Sequence, residues 1–323
     1  MISIVIPSHQ ARSQLRRALG SLGSILASDL EVLVVDDGST DGTSEMVRRE
    51  FPWARLVSSS WIRGRNESKN FGLSAAIGEV VAFLDSDCEV DEGWLRAARE
   101  AIQSGADAVT GPVRHGAGFR QQLIALLDFP DFQTTRAASV SNFASCNVVL
   151  RRAVLDEAPF DPALPSGGDR LLAWRLARAG RDVRYVPALA VRHRPDDDVR
   201  SLLRRRVRYG LNAVLVRRRD RTVPGARLLR FGLLAPLFLV GARIARDLLR
   251  LPSLVRCGAI GGGARALLLG AAATLLRAAE LSGMYAGLFR PLAPAPASAQ
   301  GRSSLPAATP AATAESAAPA RIA

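Results

Sequence analysis

The 323-residue sequence predicts an α/β fold built on a mostly parallel sheet, followed by a helical appendage. Two observations carry this. Through the first half, short apolar runs rich in β-branched residues alternate with stretches of helical spacing. Strands and helices interleaved at that interval imply right-handed crossovers and parallel pairing. Beyond residue 200 the alternation stops, and arginine-rich helical stretches are mixed with apolar ones. The composition, 48% hydrophobic and 23% charged, is that of a globular chain, and the length suits one large α/β domain plus an appendage.

Residues 2–6, 32–35 and 80–84 read as buried strands, each ending at polar or turn residues, with helices at 12–25, 43–50 and 68–77. Ligands of such sheets bind beyond the carboxyl ends of the strands. Chemistry is therefore sought at Pro7-Ser8-His9, Asp36-Asp37-Gly38-Ser39 and Asp85-Ser86-Asp87. A second half of the domain is expected from about residue 106 to 191, with a strand at 144–150, a helix at 169–179 and a short strand pair within 183–191. The expected division is an α/β domain at 1–218, a basic and apolar helical region at 219–290, and a tail at 291–323. That tail is Ala/Pro/Ser-rich, and such a composition, unable to bury a core, is expected to be disordered.

The formal charge is +13, and Lys69 is the only lysine. From Arg192 to Arg230, 13 arginines stand against 4 aspartates, a local excess of +9. Such a segment calls for an anionic partner: phospholipid head groups, nucleic acid or a phosphorylated substrate. Nucleic acid fits least, because Tyr209 is the lone interleaved aromatic and no binding motif is present. Cys88, Cys146 and Cys257 are odd in number and far apart, which suits a reducing compartment and neither a disulfide framework nor a zinc site. The N-terminus runs straight into a strand without a basic leader, so the catalytic body is expected in the cytoplasm. Residues 231–242 give 12 uncharged positions between Arg230 and Arg243, short of the roughly 20 that a membrane span takes. In-plane amphipathic helices on the anionic inner face of the cell membrane are the expectation. A re-entrant hairpin, packing on the catalytic domain and a dimer interface are the alternatives.

Asp85 and Asp87, two apart at a strand end, can share one hard cation that also binds diphosphate oxygens, and Mg2+ or Mn2+ suits such ligation. The same pair could be ordinary turn aspartates. Asp36 and Asp37 can hydrogen-bond a base and ribose, while Asp41 or Thr43 caps the following helix.

The blocks Ser3-Ile-Val-Ile-Pro-Ser8, Val34-Val-Asp-Asp-Gly-Ser-Thr-Asp-Gly42, Ser68-Lys-Asn-Phe-Gly72 and Ala75-Ala-Ile-Gly-Glu-Val-Val-Ala-Phe-Leu-Asp-Ser-Asp87 resemble, in order and spacing, family 2 glycosyltransferases. The resemblance continues more loosely to about Tyr209. It implies a GT-A nucleotide-sandwich fold, Rossmann-like, with a nucleotide-sugar donor, a divalent metal and an inverting mechanism. Carried over, Asp37 faces the nucleobase with Asp36 close by, and Pro7 and Ser8 belong to the same donor side. Lys69 stands where the family has arginine in an Arg-Asn-x-Gly turn, followed by Asn70; lysine keeps the charge and loses the bidentate fork. Asp85, with Ser86 beside it, contacts ribose or donor sugar, and Asp87 holds the metal. Asp169 maps onto the catalytic base of a Gly-Glu-Asp block whose glutamate is here Gly168; its alternative role is a helix cap. His193 falls where many members carry a histidine that ligates metal or touches the leaving diphosphate. Asn147 resembles a small-residue-Asn turn near the acceptor; its alternative role is a satisfied strand-end amide. No Gln-x-x-Arg-Trp motif of processive synthases is found, and Arg204-Arg-Arg-Val-Arg-Tyr-Gly210 stands there instead. The resemblance thus implies single addition to a membrane-linked or cell-envelope glycan or lipid acceptor. A catalytically silent scaffold would have no reason to keep Asp85, Asp87 and Asp169. A nucleotidyltransferase would need a Gly-rich basic loop after the first strand, which is not there.

Overall fold

The computed structural model describes residues 1–292, except 60–63, 135, 156–158 and 197. The low-complexity tail from residue 293 onward lies outside the described residues.

Four strands form the parallel part of the main sheet: β1 (Ile2–Ser8), β2 (Leu30–Asp37), β3 (Arg55–Ser59) and β4 (Val80–Leu84). Their apolar runs are continuous because both faces are covered. On one face Ile2, Ile4, Ile6, Val32 and Val34 pack with α1 (Arg12–Gly23) and α2 (Thr43–Glu50) through Leu15, Leu19, Met46 and Val47. On the other, Val5, Leu33, Val35 and Phe83 meet α3 (Arg65–Ala75) and α6 (Gly168–Arg178) through Leu73, Leu172 and Leu176. The alternation follows from the two-residue period of a strand.

Past β4 the sheet becomes mixed. β5 (Cys88–Val90) and α4 (Trp94–Gln103) lead to β6 (Ala108–Thr110). Next come β7 (Val113–Arg114), α5 (Phe119–Asp128), β8 (Ala138–Ser139) and β9 (Asn147–Arg151). β9 runs antiparallel between β4 and β6, and β10 (Val183–Tyr185) pairs parallel with β6. The eight-stranded order is β3-β2-β1-β4-β9-β6-β10-β8. β11 (Val191–His193) does not pair with β10 as expected; it joins β5 and β7 in a separate three-stranded sheet. Lys69 to Gly72 lies inside α3, which starts at Arg65, three residues before the helix read at 68–77. The stretch 111–142 contains α5 and a 3-10 turn at Pro130–Phe132.

Three long helices follow: α7 (Val199–Arg219), α8 (Ala235–Arg256) and α9 (Ala264–Phe289). α7 and α9 touch backbone to backbone. A Cβ on Gly210 would stand 1.9 Å from the Glu280 carbonyl oxygen, and one on Gly283 would stand 1.8 Å from the Val207 carbonyl oxygen. Between the helices lies a buried ionic core. Arg277 binds Asp247 (2.7 Å) and Glu280 (2.7 Å), while Glu280 also faces Arg243 (3.1 Å) and Arg206 (3.6 Å). Arg206 pairs with Asp128 of α5, and Arg277 donates to the Leu127 carbonyl at 2.8 Å. The helices are thus bolted to the α/β layer.

Ala226–Arg256 and Ala264–Phe289 are long and apolar enough to cross a membrane by length and composition. The 12-residue limit read from the sequence therefore does not hold for the helix, which continues through Arg243. The charges that interrupt the run turn inward to one another, and apolar residues such as Leu249 (81% exposed) and Leu267 (75%) face out.

Candidate active site

The parallel register sets Ser8 opposite Asp36, so both strand ends open on one edge. Asp36 is buried and spent on its own turn, accepting from Ser44 Oγ and from Ser39 N at 3.2 Å. Asp41 caps α2, accepting from Thr43 N at 3.1 Å, and also ties down Arg12 N at 3.0 Å. Asp37 instead reaches across to α3, where its Oδ2 accepts from Gly64 N and Ser68 Oγ, both at 2.9 Å. Pro7 is half-buried, and Ser8 is buried with its Oγ lacking a hydrogen-bond partner among the described residues.

Asp85 follows β4 and meets two cations from α3: Lys69 Nζ at 3.3 Å and Arg65 at 3.9 Å. The Asp85 carboxylate, chiefly, raises the Arg65 guanidinium above its ordinary value. Ser86 is half-buried in the turn. Asp87 meets His193 because β5 pairs antiparallel with β11 in a register that sets His193 opposite Cys88. His193 Nε2 lies 3.2 Å from Asp87 Oδ2, and its Nδ1 lies 3.0 Å from His115 Nε2. Burial works against the Asp87 charge, but His193, Arg65 and Arg205 overcome it and hold the carboxyl below the usual range. Burial, then His193, pushes the His115 imidazole down to about 3.

Asp87, His193 and the buried Cys88 thiol offer ligand atoms within 4.8 Å of one another. A carboxylate and an imidazole at that spacing fit a divalent ion, with His115 holding the ring from behind, as outer partners of metal-binding histidines do. Cys88 also touches Cys146 in the core, a proximity the sequence separation of 58 positions conceals.

Asp169 sits in the first turn of α6 and accepts from Ser145 through both N (3.3 Å) and Oγ (3.2 Å). Ser145 Oγ in turn accepts from Lys69 Nζ at 2.5 Å. Asp85, Lys69, Ser145 and Asp169 therefore form one line of contacts, and all four border a single cavity roofed by α7 and α8. Gly168 has a local reason: a Cβ there would lie 2.8 Å from the Asn66 amide, which is fixed by the Asp161 and Leu164 carbonyls. Asn66 fills the space a glutamate would need.

Asn70 and Asn147 do not join the line. Asn70 pairs with the backbone of Phe160 at 2.7 and 3.1 Å. Asn147 is fully buried; it accepts from Trp94 Nε1 at 2.9 Å and donates to the Leu189 and Pro112 carbonyls at 2.8 and 3.3 Å. Its amide has no face left for an acceptor. Ser145, two residues earlier, is the group that reaches the cavity, and Arg65 is the second cation of the site. Neither carried a sequence signal, since a serine and an arginine acquire such roles only through what the fold places beside them.

Residues 3–158 match the family model described as glycosyl transferase family 2. The chain is 30% identical over 277 residues to the pre-mycofactocin glycosyltransferase of Mycobacterium tuberculosis, covering 76% of this chain and 57% of that protein. It is 29% identical over 233 residues to glycosyltransferase AglE of Haloferax volcanii, covering 68% and 75%. The chain spans just over half the length of the mycobacterial relative. Among solved structures it resembles the mannosyltransferase PcManGT of Pyrobaculum calidifontis, solved with GDP-Man and Mn2+, at TM-score 0.61 and 20% identity over 89% of this chain and 87% of that one. A mixed sheet of this order with acids at its strand ends defines the GT-A class. Residues 3–158 of the chain form a domain of the glycosyl transferase family 2 type.

Proposed function

We propose that the protein is an inverting, non-processive glycosyltransferase that moves a sugar from a nucleotide-diphosphate sugar to a hydroxyl of a glycan or lipid-linked acceptor. The observation that carries this reading is the unbroken line Asp85–Lys69–Ser145–Asp169. A carboxylate and a cation that share one cavity with a second carboxylate support a donor side next to a proton acceptor.

Asp37 orients the nucleobase, with Asp36 and Ser8 shaping the edge beside it. Lys69 and Arg65 lie where charge builds on the departing diphosphate, and Lys69, which is buried, acts strongly there because little water screens it. Asp87 and His193 would hold Mg2+ or Mn2+, which when bound neutralises diphosphate oxygens. Asp169 receives the proton of the acceptor hydroxyl, and one displacement on the opposite face inverts the anomeric centre. Ser145 keeps the Asp169 carboxylate turned into the cavity. The names of relatives agree with such acceptors; one, 31% identical over 114 residues (34% of this chain, 37% of that protein), is the GalNAc(5)-diNAcBac-PP-undecaprenol beta-1,3-glucosyltransferase of Campylobacter jejuni. The protein works from the cytoplasmic face of the membrane, with α8 and α9 on an anionic leaflet.

The test is a thermal-shift panel with UDP-, GDP-, dTDP- and CMP-sugars, with and without Mn2+. A shift with one nucleotide that needs the metal and vanishes in Asp87→Ala is expected. Asp169→Asn should keep that shift and lose transfer. Wild-type transfer in both variants would overturn the reading.

A further inference from the structure

Beyond Asp169 the cavity runs on between α6, α7 and α8, and its far end is more basic than the fold requires. Arg170, Arg217 and Arg243 border it together with Asn212. The ionic core behind cannot neutralise them. Among the described residues, its ion pairs let Arg206, Arg243, Arg246 and Arg277 share Asp128, Asp247 and Glu280. Arg243 draws on Glu280, which also serves Arg206 and Arg277. Arg170 and Arg217 form no ion pair with an acid among the described residues. The Arg217 guanidinium is fixed by the carbonyl oxygens of Ala213 (2.6 Å) and Pro224 (3.0 Å), and both are neutral. Burial first, and then the charges of Arg170 and Arg246, pushes Arg217 down to about 10.

Arg170 is exposed at the cavity and Arg217 is half-buried, and a half-buried arginine with no acid partner costs stability unless an anion completes it. A second group is also unfinished. Asn212, 4% exposed, gives its amide N–H to Ser166, and its Oδ1 has no hydrogen-bond partner among the described residues. It borders the same cavity and is an acceptor waiting for a hydroxyl or N–H. The same cavity is also lined by apolar side chains: Phe129, Phe132, Phe143, Val216 and Val223.

The geometry points to an acceptor substrate with an apolar body and an anionic oxygen group, carboxylate or phosphate, seated on Arg170 and Arg217 while a hydroxyl faces Asp169. This rests on the transfer reading only in taking Asp169 as the base; the anion site stands on its own residues. Arginine suits the task, since its planar fork matches both anions.

The test uses the full chain and four probes below their micelle concentrations: dodecyl phosphate, dodecanoate, dodecanol and inorganic phosphate. Binding is read by calorimetry in the presence of saturating nucleoside diphosphate and Mn2+, which occupy the donor side. Dodecyl phosphate or dodecanoate should bind at least about tenfold more tightly than dodecanol, and Arg170→Gln/Arg217→Gln should erase that preference. Inorganic phosphate should bind more weakly than dodecyl phosphate, since it lacks the apolar body. Retention of the nucleotide thermal shift in the double variant shows that the donor side is intact. Equal binding of alcohol and anion, or a preference that survives the double variant, overturns the anion site. Loss of the nucleotide response in wild type would instead strike the transfer reading.

Discussion

The group that ties the two halves of the site together is a serine. Ser145 Oγ accepts from Lys69 Nζ and donates to Asp169 Oδ2, so one hydroxyl fixes the Lys69 cation and orients the carboxylate proposed as the base. Ser145→Ala frees both. A well-placed general base contributes on the order of 10²–10⁴ in rate. Losing its orientation alone should lower kcat by about 10–100-fold, with donor KM changed less than about threefold. Steady-state kinetics over donor and acceptor check the split, and Ser145→Thr should restore part of the rate; a rise in donor KM with kcat untouched would show Ser145 to be a binding group only. His115 supplies a second test. Its ring packs on Phe129 and His193, and burial holds its imidazole at about 3, against an ordinary value of 6.5. The native state therefore refuses a proton that the unfolded chain accepts below pH 6.5. Stability is full above that pH and falls as the pH drops toward 3, by at most about 2 kcal/mol between pH 7 and 5, less for the solvent-screened part of the ring. Urea unfolding at both pH values should show this loss shrink in His115→Asn.

Among the elements, the parallel strands β1, β2 and β4 and the helix α2 could be read from the sequence because their signals are local: apolar runs, turn residues, a helical period. The short strands could not. β5, β7 and β11 have two or three residues each, too few to show a period, and exist because of one another. The metal-side pairing of Asp87 with His193 depends on that unread sheet; the histidine was visible only through the family resemblance. The α7–α9 contact was hidden for another reason: Gly210, Gly283 and Gly287 are unremarkable in an Ala- and Gly-rich segment until their Cβ positions are found to be filled by the partner helix. Gly283→Val therefore forces the helices apart. Overpacking of this kind costs about 1–3 kcal/mol, and more where the obstacle is backbone. A lowered urea midpoint and release of α9 in limited proteolysis should follow. Native stability in Gly283→Val would mean that α7 and α9 do not meet here. Glu280→Gln should be at least as damaging, because it leaves Arg243 beside a neutral amide and takes one of two acid partners from Arg206 and Arg277, a loss of roughly 3–5 kcal/mol.

At the scale of the whole molecule, the ionic core decides how the apolar helices can be used. Arg277, Glu280 and Asp247 are buried against α5 and α7, so α8 and α9 hold their charges toward the catalytic layer and offer leucines outward. Leu249, Leu267, Leu268 and Leu275 are 81%, 75%, 62% and 74% exposed. A face of that kind, beside a basic segment, suits docking in the plane of a membrane, where apolar burial and attraction to anionic lipid add. Burying one leucine is worth about 1.5–3 kcal/mol. Leu249→Glu/Leu267→Glu should therefore weaken partitioning to liposomes containing anionic lipid by roughly 100-fold or more, while leaving the nucleotide thermal shift unchanged, since neither residue borders the cavity. Flotation with phosphatidylglycerol and with phosphatidylcholine alone, at low and high salt, separates the two contributions: salt should remove the head-group part within a Debye length of the surface and leave the leucine part. Extraction at alkaline pH then discriminates docking from crossing. A surface-bound protein is released by that wash, and a protein that stays in the pellet has its helices through the bilayer, with the ionic core opened or carried inside it.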